Sequence, residues 1–132
     1  IELLLVVTIL GILTAIAIPK LFPQTEKARV AEAIAILQSI RQGEVAYFLE
    51  KESYLPCTSG TTAADNSCWQ NLGMENPNPG RYFDYSIADD NPGFTATADR
   101  NSISDPGGTY GPTVITIDED GNYGGDHPFR PS

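Results

Sequence analysis

Ile1-Glu2-Leu3-Leu4-Leu5-Val6-Val7-Thr8-Ile9-Leu10-Gly11-Ile12-Leu13-Thr14-Ala15-Ile16-Ala17-Ile18-Pro19 opens the chain, and every other stretch is read in its light. From Leu3 to Ile18 there is no charge. The only polar side chains are Thr8 and Thr14, whose hydroxyls can bond back to carbonyls one turn earlier in a helix. As a helix this stretch would be about 24 Å long, a little short of the ~30 Å hydrocarbon core of a bilayer. The expectation is a transmembrane segment that lacks its first few residues.

Glu2 breaks the apolar pattern. A carboxylate carried unpaired into a membrane or dry core costs roughly 2.5–3.5 kcal/mol or more, and the next basic residue is Lys20, at the opposite end of the run. Glu2 either lies in water or the interface at the head of an anchor, or it has a partner from outside the chain. Gly11 in mid-run, Pro19 at its end and an amphipathic helix directly afterwards separate these readings. With those features the run resembles the class III signal and assembly segment of type IV pilins and of type II secretion pseudopilins.

That resemblance covers nearly twenty consecutive positions, about the first seventh of the chain. It implies an α+β pilin-like fold, in which a long N-terminal helix with a protruding hydrophobic half packs its amphipathic half under a small antiparallel sheet of three or four strands. It also implies that the mature chain starts a few residues upstream, at an N-methylated residue released by prepilin peptidase, and that a pilus assembly machinery draws the subunit from the inner membrane of a bacterium. Glu2 would pair with the N-terminal amine of a neighbouring copy. Leu3, Leu4, Leu5, Val6, Val7, Ile9, Leu10, Ile12, Leu13, Ile16 and Ile18 would pack the core of a helical homo-oligomeric filament. Gly11, Pro19 and Pro23 would mark a break or melted segment in the helix. Pro19 and Pro23 each remove an amide that a helix would use, so unwinding is expected between about residues 15 and 24.

At 132 residues the chain holds one modest domain, residues 24–132, beyond the hydrophobic segment 1–23. Seventeen acids against eight bases give a formal net charge of −9. The bases are few and scattered, so nothing indicates nucleic acid as a partner. Cys57 and Cys68 lie eleven positions apart in a Gly-, Thr-, Ser- and Asn-rich stretch. In a chain exported across a membrane this pair reads as a disulfide, worth about 3 kcal/mol by the chain-entropy estimate. The competing readings, a redox pair or half a metal site, lack the C-x-x-C spacing and the histidines they would need.

Residues 24–53 have helical periodicity, with Val30, Ile34, Leu37, Val45 and Phe48 on one face and Ile36, Ile40 and Tyr47 widening it. Glu26, Arg29, Glu32, Arg41, Glu44 and Glu50 are assigned to the remaining surface. Leu55-Pro56 ends the helix. Residues 58–80 read as an ordered loop, tied by the disulfide and pinned by Trp69 and Leu72. Strands follow at 81–88, with Phe83, Tyr85 and Ile87 inward, and at 94–98, with Phe94, Ala96 and Ala98 inward. Asp89-Asp90-Asn91-Pro92-Gly93 joins them as a turn. A third strand is predicted at 113–118, a tight turn at 119–122, and at most a short fourth strand in the tail.

Asp118, Asp120 and Asn122 place oxygen ligands at alternating positions, as the start of a calcium loop does. The acid that would complete such a loop is missing, because position 129 is Phe. A plain hairpin turn is therefore the preferred reading, with calcium as its alternative, and no other cofactor is indicated. His127, the only histidine, reads as a solvated tail residue. No nucleophile sits on a sharp turn beside it, so no enzymatic activity is expected.

The sequence thus points to a structural subunit of a type IV pilus-like extracellular filament, with adhesion or motility among the uses the resemblance brings. Two alternatives stay open: a pseudopilin of a type II secretion system, and a membrane-anchored binding domain that never polymerises.

Overall fold

The computed structural model describes the backbone of residues 1–132 and the side chains of all but residues 15–22 and 106. Seven elements follow in order: helix α1 (Glu2–Lys51), helix α2 (Ala63–Asn71), strands β1 (Phe83–Asp89) and β2 (Phe94–Arg100), a short 3-10 turn (Pro106–Gly108), and strands β3 (Val114–Asp118) and β4 (Tyr123–Gly125). The four strands form one antiparallel sheet in the order β1-β2-β3-β4. Pairing each strand with its neighbour in sequence is the simplest order for four strands, and only the β2–β3 connection, which carries the 3-10 turn, is long. This is the α+β arrangement expected from the opening stretch, with α1 laid against the inner face of the sheet.

The unwinding expected around Gly11, Pro19 and Pro23 falls mainly on residues 15–22, outside the described side chains; α1 is assigned as one element across them. Its C-terminus comes at Lys51, where Glu52 takes a left-handed conformation and its amide bonds the Phe48 carbonyl. That stop lies a few residues before Pro56.

The sheet alternates as predicted. Phe83, Tyr85 and Ile87 of β1, Phe94, Ala96 and Ala98 of β2, and Ile115 and Ile117 of β3 are all buried. They meet Val30, Ala33, Leu37 and Ile40 of α1, with Trp69 and Leu72 closing one side. A small domain has few residues to bury, and here one helix supplies the layer that covers the inner face of the sheet.

Two features of α1 differ from the periodicity reading. Val45 and Phe48 are each 39% exposed, whereas Glu26 and Glu44 are fully buried. The buried positions run Glu26, Val30, Ala33, Leu37, Ile40 and Glu44, alternating steps of four and three that keep one line facing the sheet. The stripe thus begins and ends on an acid. Phe48 sits at its margin and stacks on Tyr54 at 4.7 Å between ring centroids.

The stretch read as a loop contains α2. Its signal is a capping box: Asp65 N–H donates to the Thr62 hydroxyl, while Thr62 N–H donates to Asp65 Oδ2 at 2.9 Å. The Gly, Thr and Asn content around it obscures a helix of only nine residues. Trp69 is completely buried, with its indole N–H donating to the Thr58 carbonyl at 3.3 Å.

Candidate functional site

Residues 1–14 form an arm that none of the described residues covers. Ile1, Leu3, Leu4, Leu5, Val6, Val7, Ile9, Leu10, Ile12 and Leu13 are all exposed, Leu3 by 81% and Leu4 by 72%. Thr8 and Thr14 donate their hydroxyls to the carbonyls of Leu4 (2.7 Å) and Leu10 (2.8 Å), so the arm presents almost no unsatisfied polar group sideways. Burying ten such side chains away from water is worth on the order of 20 kcal/mol at about 2 kcal/mol each. A surface of that size calls for a covering of lipid or protein.

Glu2 lies in the first turn of α1, where a carboxylate suits the helix dipole. It is exposed and makes no ion pair among the described residues. Gly11 lies on the exposed arm, with open space where a Cβ would stand. Ile16, Ile18 and Pro19 lie outside the described side chains, and Pro23 is half-buried where the arm meets the domain. Among the described residues no helix is long and apolar enough to cross a membrane.

Immediately beyond that junction the domain grips α1. Arg100, at the end of β2, donates its Nε to both carboxylate oxygens of Glu26, at 2.9 and 3.1 Å. Its Nη1 donates to the carbonyls of Asn101 (2.8 Å), Ile103 (2.9 Å) and Tyr82 (3.2 Å). Both partners are 1% exposed, so this is a buried ion pair tying helix to sheet.

His127 closes the same cluster, with Nε2 at 3.6 Å from Glu26 Oε2 and its ring stacked on Tyr110. The reading of His127 as a solvated tail residue is therefore corrected: it is 1% exposed. The amides of Asp126 and His127 both donate to the Val114 carbonyl, which turns the tail inward beside β3. Its Nδ1 accepts the Phe129 amide at 3.1 Å, which leaves the proton of the neutral ring on Nε2. Burial holds its pKa below the ordinary value, and Glu26 acts in the opposite direction. The assignment of Glu26 and Glu44 to the solvent face is corrected with it.

The cysteines are joined. Cys57 and Cys68 form a disulfide with Cα atoms 5.9 Å apart, which fastens α2 to the segment entering the sheet edge. Cys57 pairs with Ile87 of β1 through two backbone bonds, and the Asn78 side chain accepts the Tyr85 amide at 2.5 Å. The open edge of β1 is thereby covered.

Asp118, Asp120 and Asn122 form the β3–β4 turn. Asp118 Oδ1 accepts the amides of Asp120 (3.0 Å) and Asn122 (2.8 Å), and Oδ2 accepts the Asn122 side-chain amide at 3.2 Å. These bonds hold its pKa below the usual carboxylate range. Both of its oxygens are thus engaged in shaping the hairpin, and among the described residues no group of three His, Cys, Asp or Glu is placed to hold a metal ion.

A long N-terminal helix under a four-stranded antiparallel meander, with a disulfide-closed segment along one edge, defines a pilin-like fold. The chain is similar in structure to the non-core minor pilin PilV of Neisseria meningitidis, known from an orthorhombic selenomethionine crystal form. The TM-score is 0.51 at 20% sequence identity, over 82% of this chain and 93% of that one. No protein-family model matches the sequence, and no curated protein matches it significantly.

Proposed function

We propose that the chain is a structural subunit of a type IV pilus-like extracellular filament, drawn from the bacterial inner membrane through α1. The observation that supports this reading most directly is the arm: ten exposed apolar side chains on a helix that projects from a domain with a pilin-like fold. In the precursor pool, lipid covers the arm; in the filament, the same arms of neighbouring copies cover it. Lipid tails are as apolar as Leu and Ile, so the exchange is close to neutral in hydrophobic energy. A near-neutral exchange lets an assembly machinery extract the subunit and leaves register to a polar contact.

Glu2 supplies that contact in this reading. Paired with the N-terminal amine of an adjacent subunit, it neutralises two charges that would otherwise be stranded in a dry bundle. The amine would be the product of prepilin peptidase acting upstream of Ile1. Leu3 to Leu13, with Ile16 and Ile18, form the packed seam, and Gly11, Pro19 and Pro23 let the helix adjust as it is drawn in.

Electron microscopy of sheared cell-surface material, with mass spectrometry of the fibres, tests the proposal. Long fibres made of this chain are expected from the parent strain. Glu2→Ala is expected to give a folded, membrane-resident protein and no fibres. Normal fibres from a strain carrying only Glu2→Ala would overturn the role of Glu2. If the chain stays cell-bound without surface fibres yet is needed for protein secretion, it is a pseudopilin; if it does neither, it is an anchored binding domain.

A further inference from the structure

The filament reading makes no use of Glu44, and the structure gives this residue an unusual setting. It ends the buried stripe of α1 and is 0% exposed. Its Oε2 accepts the Leu55 amide at 2.8 Å, and its Oε1 is buried with no hydrogen-bond partner. Leu55 belongs to the segment that leaves α1 and runs into Pro56 and Cys57, the point where the chain joins β1 and the disulfide begins. One carboxyl group therefore holds the root of the disulfide-closed unit onto α1.

No cation compensates it among the described residues. Asp89 of β1 acts on it as a second acid. Arg41, one turn earlier on α1, donates its Nε to the Glu119 carbonyl at 3.0 Å instead. The Glu119 carboxylate accepts the Phe94 amide at 3.3 Å, and Tyr54 of the returning segment stacks on Phe48 and meets Phe94 at a tilt of 60°. A carboxylate here would keep one oxygen buried without a partner and would be repelled by Asp89, whereas a neutral carboxyl avoids both penalties.

We infer that Glu44 is a pH-sensitive latch: protonated, it fastens residues 52–57 to α1 and β1, and ionised, it favours their release so that water can reach it. Burial first, and Asp89 with it, push the Glu44 pKa up to about 7, against the lowering effect of the Leu55 amide. Once the segment opens, the carboxyl returns to its ordinary value near 4.5. Because the closed-state pKa is the higher one, closure is strongest below about 4.5, weakens as pH rises, and levels off above about 7. Across that window the open population grows on the order of a hundredfold, up to tenfold per pH unit.

The test is hydrogen exchange of the peptide carrying Leu55, in the full chain held in detergent micelles, corrected for the intrinsic rate of amide exchange at each pH. In the parent, residual opening is expected to climb between about pH 5 and 7 and then flatten. Glu44→Gln keeps the shape without the titration and is expected to give a flat profile. Asp89→Asn keeps Glu44 but removes its acidic neighbour, so a smaller climb that flattens at lower pH is expected. A flat profile in the parent overturns the inference. So does a Glu44→Gln or Asp89→Asn profile identical to a climbing parental one. The readout does not depend on polymerisation, so it stands or falls apart from the filament reading.

Discussion

Replacing Arg100 with Met tests how the domain grips α1. Arg100 is 1% exposed and donates to both oxygens of Glu26 and to the carbonyls of Tyr82, Asn101 and Ile103. Methionine fills a similar volume but leaves Glu26 as a buried carboxylate without a cation. Breaking one side of a buried pair typically costs about 3–5 kcal/mol. That is a large share of the 5–15 kcal/mol that holds an ordinary domain together. Glu26→Gln is expected to cost less, because the Arg100 guanidinium keeps its carbonyl acceptors. The double variant Glu26→Gln/Arg100→Met strands no charge and is expected to be less damaged than the sum of the singles, with a coupling of about 2 kcal/mol. Trp69 is the only tryptophan and is fully buried, so its fluorescence during urea unfolding in micelles reports the core directly. A cost under about 1 kcal/mol for Arg100→Met, or strict additivity in the double variant, would refute the reasoning.

Two further outcomes follow from the same contacts. Replacing Cys57 and Cys68 together by Ser reopens the disulfide-closed segment and is expected to cost about 3 kcal/mol, read by the same fluorescence; no change in the urea midpoint would mean that α2 holds its place without the bond. His127 prefers the neutral form in the fold, so its pKa lies below the unfolded value of about 6.5. It therefore contributes stability that is fully present above about pH 6.5 and is lost as pH falls through the folded pKa. His127→Gln is expected to lessen that loss on the acid side, seen as a difference from the parent in urea midpoints between pH 5 and 7.5. The Glu44 effect runs the other way over part of this window and cancels in the comparison.

The arm illustrates a part of the molecule that a linear reading captures well. Sixteen uncharged positions in a row from Leu3 to Ile18 cannot be reconciled with water whatever the rest of the chain does, and alternating apolar residues in 83–87, 94–98 and 114–118 leave few choices other than half-buried strands. The disulfide was legible too, because the two cysteines of the chain, flanked by turn-forming residues, lack the spacing and the histidines of a redox or metal site and have only each other. The helix at 63–71 was obscured by its own composition, although Thr62 and Asp65 carry the capping box in plain view.

Glu26, Glu44 and His127 were misplaced for a single reason. Charge is a local property of a residue, and burial is a property of what the rest of the chain brings beside it. The four-three rhythm Glu26, Val30, Ala33, Leu37, Ile40, Glu44 was present in the sequence, but only Arg100, arriving seventy-four positions later, makes the first acid tolerable inside. Only the Leu55 amide, brought back by the turn at Glu52, gives the second acid a partner. By itself the sequence determined the greasy arm, the strand alternation and the cysteine pairing, because each follows from neighbours along the chain. The tertiary structure alone decided which polar groups lie in the core, because their desolvation is offset by partners that distance in sequence does not reveal.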